Sequence, residues 1–282
     1  KHSLMTRIPN RPLFIFLCIL VTTSTLFSQE ELFPHSKKYH VNRRSEIPLT
    51  GGLFLTHIYA YKLIRSKESI DSIQLVNLSD EKLPGFDKWA LEQDPAFRHK
   101  AHKISDISLN ATVVLPVLLA LDKKIRKEWF DLLVLYGETH AINSSIYVIS
   151  AGLINRKRPI LYSPAIPFED KLSGDLRSSF FSGHVSSTAC SSFFMAKVYS
   201  DYHPELGNKK YLLYAAALIP PSIVGIYRIK AYKHFPTDVI AGTVVGAACG
   251  ILIPYLHKKN HNTLKILPIG GDVNGLVLNY KF

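Results

Sequence analysis

Tyr227-Arg228-Ile229-Lys230-Ala231-Tyr232-Lys233-His234-Phe235-Pro236-Thr237-Asp238 joins one apolar run to the next and carries an arginine, a histidine and an aspartate at fixed offsets. His234 and Asp238 stand four residues apart, so a helix beginning here puts both side chains on one face. Pro236 suits the first turn of that helix, where its missing N–H costs nothing. A carboxylate near an imidazole fixes the tautomer and supports the positive charge that forms when the other ring nitrogen acts as nucleophile. Arg228, six residues before His234, offers a guanidinium fork to a phosphoryl oxygen.

Two more segments have the same character. Ser182-Gly183-His184 precedes the apolar run Val185–Val198. A hydroxyl and the amides of a helix N-terminus are oxyanion donors, and Gly183 lets the backbone approach closely. His184 can give a proton to a leaving oxygen. Arg158-Pro159 follows the run Trp129–Ile154, where the proline is expected to end the helix and hold Arg158 at its rim. Singly, each piece is commonplace: most histidines are surface or satisfied core residues, and basic clusters usually flank apolar segments. In this order, each beside a helix-length apolar stretch, they describe an oxyanion pocket with an imidazole nucleophile at one end of a helical bundle.

The three segments resemble the type-2 phosphatidic acid phosphatase superfamily, which also holds bacterial acid phosphatases and vanadium haloperoxidases. Its pattern is Lys, six residues, Arg-Pro; then Pro-Ser-Gly-His; then Ser-Arg, five residues, His, three residues, Asp; here Arg228, His234 and Asp238 keep that spacing. Phe181 replaces the proline before Ser182, and Ala151 occupies the lysine position ahead of Arg158-Pro159. The resemblance covers residues 105–257. It implies an all-α bundle of the acid phosphatase/vanadium haloperoxidase type, embedded in a membrane, acting without metal or other cofactor. It implies that His234 is the nucleophile and forms a phosphohistidine, that Asp238 orients it and that His184 protonates the leaving group. Arg158, Ser182, Gly183 and Arg228 would bind the phosphoryl group. Arg156 or Lys157 remains a candidate for the cation lost at Ala151. The substrate implied is a phosphomonoester or pyrophosphate, of a lipid in view of the apolar runs. A non-catalytic anion or lipid binder and a vanadate-dependent haloperoxidase stay open as alternatives.

The rest of the chain bounds these readings. The formal charge is +12 over 282 residues, yet Lys and Arg punctuate apolar runs instead of forming a basic module, which excludes nucleic acid and favours anionic lipid or phosphorylated substrates. Five apolar runs are expected to form the core: Ile107–Leu121, Trp129–Ile154, Val185–Val198, Tyr211–Ile226 and Val239–Leu256. Gly242, Gly246, Ala247, Ala248 and Gly250 in the last permit close helix packing. If the runs cross a bilayer alternately, Lys123–Lys127, Lys209–Lys210 and Lys258–Lys259 share the cytoplasmic side and the three motifs face out, towards the periplasm of a bacterial inner membrane. A soluble periplasmic enzyme is the alternative. Residues 1–29 read as a signal peptide or anchor, with Met5 as the start, Arg7 and Arg11 as the basic region and Leu13–Val21 as the apolar region. Residues 30–104 form an extracytoplasmic region in which Leu53–Leu63 and Phe86–Asp106 are helical; 105–260 form the phosphatase core. Glu138 and His140 are candidates to line the base of the site, or to be ordinary buried hydrogen-bonding groups. Cys18, Cys190 and Cys249 lie in apolar runs and make neither a disulfide framework nor a metal motif. Residues 261–282 are a tail with strand-like alternation at Leu276–Phe282.

Overall fold

The computed structural model describes residues 37–65, 67, 78, 83–172, 174–259, 264–269 and 275–280. Residues 1–29, read in the sequence as a signal peptide or anchor, and Cys18 among them lie outside the described residues. Among the described residues seven α-helices follow one another: α1 (Arg43–Arg65), α2 (Arg98–Val114), α3 (Trp129–Leu153), α4 (Gly183–Tyr202), α5 (Lys210–Ala217), α6 (Ile219–Lys230) and α7 (Pro236–His257). Short 3-10 turns fill the connections. The fold is all-α apart from a hairpin of β1 (Leu264–Ile269) and β2 (Gly275–Tyr280), paired antiparallel from Leu264 opposite Tyr280 to Ile269 opposite Gly275. The alternating tail thus supplies the second strand.

The apolar runs become helices with three changes of outline. The first run begins its helix at Arg98 and tightens to a 3-10 turn over Leu115–Leu121, where Pro116 removes a backbone donor. The fourth run is broken after Ala217, because Pro220-Pro221 can start a helix but not continue one. The second run ends at Leu153, five residues before Arg158. Pro159 therefore does not terminate that helix; it opens the 3-10 turn Pro159–Leu161.

α7 lies along α4, and the seam is made of backbone. A Cβ at Gly242 would stand 2.6 Å from the Ser182 carbonyl oxygen, one at Gly250 would stand 2.6 Å from that of Cys190, and one at Gly246 would press on that of Ser186. The small-residue stripe seen in the sequence is what lets these two helices close. At the C-terminal ends of α4 and α7 the core is Tyr39, Leu132, Leu135, Phe194, Val198 and Tyr202. The chain before α1 is strapped to this end by charge. Asp131 takes Lys37 and Arg43, each at 2.6 Å, and Asp201 takes Lys258 at 2.6 Å and the Tyr39 hydroxyl at 2.8 Å.

Three segments are long and apolar enough to cross a membrane: Pro95–Leu121, Pro204–Lys230 and Pro236–His257. Their outward faces carry exposed Ile107, Leu118, Leu121, Leu212, Ile240, Val244 and Leu252, a surface suited to lipid. The other two expected spans form helices of 25 and 20 residues, but α3 buries Asp131 and Glu138 and α4 is rich in serine. The protein is membrane-associated through this apolar surface.

Candidate active site

The site is built at the N-terminal ends of α4 and α7, over the crossover 154–182. Asp238 accepts a hydrogen bond from the Phe235 amide at 2.9 Å, which closes the first turn of α7 as an acidic N-terminal cap. The same carboxylate accepts from Ser179 Oγ at 2.6 Å and pairs with Arg156. Arg156 reaches on to Asp87 at 2.6 Å and lies over the Phe235 ring. Asp87, in the turn Gly85–Leu91, also accepts from the Thr237 amide at 3.1 Å. Asp87 and Asp238 are both fully buried, so Arg156 is the cation that makes two buried carboxylates tolerable. It is not a substitute phosphate ligand for the lysine missing at Ala151. Ala151 itself is buried against Ile64 and Val148.

His234 is 2 % exposed. Its Nδ1 lies 2.8 Å from the Ser179 carbonyl oxygen and 3.9 Å from the nearest Asp238 oxygen. A carbonyl only accepts, so Nδ1 carries the proton and Nε2 keeps its lone pair. Asp238 therefore stands one step further back than its spacing suggested: it fixes the helix start and Ser179, and Ser179 fixes the tautomer. Burial, with Arg158 and Arg228 nearby, pulls the His234 pKa down to about 3 against the pull of Asp238. The imidazole is neutral at any physiological pH.

Three of the other residues singled out in the sequence have buried polar atoms with no hydrogen-bond partner among the described residues: Arg158 Nε, Arg228 Nε and Ser182 Oγ. Buried donors are almost always satisfied, so each of these three groups is open to an acceptor. Gly183, the first residue of α4, lies under the Tyr147 ring, which a Cβ would meet at 3.0 Å. Arg158 is steadied by its amide on the Leu176 carbonyl at 2.8 Å and by Asp175 at 3.9 Å. Lys233, half-buried, sends its amide to the Arg228 carbonyl at 3.1 Å. Burial first, then Arg158 and Arg228, bring its ammonium down to about 8.

α2 adds residues that sequence reasoning did not find. His184 Nε2 lies 3.0 Å from Asp106 Oδ1. Arg228 Nη1 donates to His102 Nδ1 at 3.0 Å and stands 3.5 Å from Asp106. The signal was there as His102 and Asp106 at helical spacing, but that stretch reads as a surface helix. Glu138 and His140 do not line this site: Glu138 faces His257 at 3.3 Å and His140 meets the Ser191 hydroxyl at 3.0 Å. The seven residues expected from the sequence thus fall on four neighbouring pieces, the crossover, α4, α6 and the start of α7.

Residues 132–262 match the family model of the PAP2 superfamily. Among solved structures, the chain is similar to the first transmembrane PAP2 type phosphatidylglycerolphosphate phosphatase from Bacillus subtilis, at 22 % identity over 73 % of this chain and 94 % of that one, with a TM-score of 0.43. It is also similar to Aquifex aeolicus LpxE, at 24 % identity over 59 % and 90 % of the two chains, with a TM-score of 0.39. No curated protein matches the chain.

Proposed function

We propose that the chain is a member of the PAP2 superfamily, whose model matches residues 132–262, and that it is a phosphatase that hydrolyses a phosphomonoester or pyrophosphate of a lipid without metal, through a phosphohistidine. The observation that carries this is the set of buried, unpartnered donors, Arg158 Nε, Arg228 Nε and Ser182 Oγ, in a site with a neutral imidazole. In this reading the phosphoryl oxygens take those donors and the α4 amides at Gly183 and His184. His234 Nε2 attacks phosphorus as the ester P–O bond breaks, and His184 gives its proton to the departing oxygen. The neutral His184 then takes a proton from water, whose oxygen displaces phosphate from Nε2. Burial and Arg228 pull the His184 pKa down to about 4 while Asp106 pulls it up, so in this reading the bound phosphoryl dianion joins Asp106 as counter-charge while His184 carries two protons. The test is phosphate release by the purified chain in EDTA, from phosphatidic acid, phosphatidylglycerol phosphate, an isoprenyl pyrophosphate and lipid A phosphate, against p-nitrophenyl phosphate. A lipid should be turned over faster than the soluble ester, with inhibition by vanadate. No release from any substrate by folded protein would overturn the proposal.

His184→Gln should cost little with p-nitrophenyl phosphate, whose leaving group needs no proton, and about 100-fold or more with an alkyl ester. Equal losses on both would remove His184 from the acid role.

We assign to Lys233, whose amide bonds the Arg228 carbonyl and whose ammonium feels Arg158 and Arg228, the charge that the family lysine would carry. That charge is present below about pH 8 and lost above it, so kcat/KM for a dianionic substrate should fall as pH rises through that value. In Lys233→Met this alkaline limb should vanish and kcat/KM at pH 7 should drop roughly ten- to a hundred-fold, the size of one charge-assisted hydrogen bond. An unchanged limb in the variant would show that another group titrates.

The basic clusters favour an outward-facing site. An impermeant thiol reagent applied to intact cells should label Ala165→Cys and spare Lys124→Cys. The opposite pattern would invert the orientation.

A further inference from the structure

We propose that Glu46, Glu138 and His257 form a binding site for a divalent first-row transition ion at the end of the bundle opposite His234. Glu46 lies in the first turn of α1, Glu138 in the middle of α3, and His257 ends α7. The 22 residues of α7 separate this site from His234 by about 30 Å, at 1.5 Å per residue.

The geometry is that of a ligand set. One atom from each residue lies within 4.8 Å of the others. His257 Nε2 is 3.3 Å from Glu138 Oε2 and 3.6 Å from Glu46 Oε1. Two ligands of one tetrahedral ion, bound at about 2.0–2.2 Å, are roughly 3.3–3.6 Å apart. The histidine is also oriented as metal ligands are. Its Nδ1 lies 2.9 Å from the Ile253 carbonyl oxygen and donates to it, which turns the Nε2 lone pair of a neutral ring towards both carboxylates.

Without a cation that arrangement is unfavourable. Glu138 is 7 % exposed, and its Oε2, like Oε2 of Glu46, is buried with no hydrogen-bond partner among the described residues. Glu46 Oε1 is steadied by the Asn42 amide at 2.8 Å, which fixes that carboxylate and leaves its partner oxygen inward. Two carboxylates carry two negative charges; a doubly protonated His257 would cancel one, a divalent ion both. Oxygen and imidazole donors together favour Zn²⁺ or Mn²⁺ over Mg²⁺ or Ca²⁺. The Glu46 and His257 side chains are 14 % and 18 % exposed, so an ion can enter from the surface. Bound there, it would clamp α1 to α3 and α7.

The full chain, stripped with EDTA and returned to Zn²⁺, Mn²⁺ or Mg²⁺, tests this by equilibrium dialysis and thermal melting. One Zn²⁺ or Mn²⁺ per chain should bind, with a Tm rise of several degrees and no comparable response to Mg²⁺. Glu138→Gln should weaken binding at least about tenfold. Phosphatase activity, assayed well below the melting point of the stripped protein, should be equal with and without the ion, which separates this site from the proposed chemistry. Wild-type protein that binds no stoichiometric ion, or a variant that binds as tightly as wild type, would overturn the site. If Glu138→Gln does not fold, Glu46→Gln at the more exposed edge gives the same comparison. X-ray absorption at the zinc edge of the wild type reads the shell directly: one imidazole with oxygen donors supports the site, and more than one imidazole overturns it.

Discussion

His234→Asn is expected to abolish turnover, by about 10⁴-fold or more, while the protein stays folded and still binds vanadate. Asparagine places an N–H close to where Nδ1 stands, so the 2.8 Å bond to the Ser179 carbonyl can persist. What it removes is Nε2, the atom proposed to attack phosphorus. The cradle of Arg158, Ser182 and Arg228 is untouched, so anion affinity should change little. Loss of a nucleophile with binding intact is a loss in kcat and not in KM, and such losses are the largest single-residue effects in enzymes that use one. Rapid quenching of the wild type should trap an acid-labile phosphoryl group that the variant never shows. Turnover within tenfold of wild type would end the phosphohistidine proposal.

The second large effect belongs to a residue far less conspicuous in the sequence. Arg156→Met should destabilise the chain by about 3–5 kcal/mol, because it leaves Asp87 and Asp238 buried and unpaired. The cost falls on the catalytic end, since Asp238 caps α7 and positions Ser179 beneath His234. Activity should therefore fall with stability, through kcat. Asp87→Asn in the same chain should recover part of the loss, because one of the two orphaned charges is gone; a double-mutant cycle by denaturant unfolding measures the coupling. Had Arg156 been a phosphate ligand, its removal would raise KM and leave unfolding unchanged, and that result would refute the role assigned here.

These two residues show what could be read from the chain and what could not. His234, Asp238, Arg228, His184 and Ser182 were legible because local spacing and apolar flanks place them at helix ends, and helix ends are fixed by short-range rules. The glycine stripe was legible for the same reason, as a period on one helix face. Arg156 was not, because its partners lie 69 and 82 residues away, and nothing in Asn155-Arg156-Lys157 says which guanidinium turns inward. Asp106 and His102 were hidden likewise: their helix looks polar and superficial until α6 and α4 pack on it. The histidine–aspartate pair misled in a smaller way. Four-residue spacing puts the groups on one face, but the first turn of α7 used the carboxylate as its own cap and passed the imidazole to a carbonyl. The break in the fourth apolar run was written in Pro220-Pro221, and hydropathy alone smoothed over it.

The seam between α4 and α7 bears on how such a protein can change over time. Ser182 sits on one side of it and the helix that begins after His234 on the other, with the Gly242 backbone against the Ser182 carbonyl. Where main chains touch, no rotamer can absorb a misfit, so the spacing of hydroxyl and imidazole is inherited as a fixed gauge. Drift in side chains elsewhere leaves that gauge alone. New substrate preferences can then arise at exposed positions of the crossover such as Phe168 and Leu172 and on the outer face of α2, where side chains vary at small cost, without the proposed reaction centre having to be tuned again.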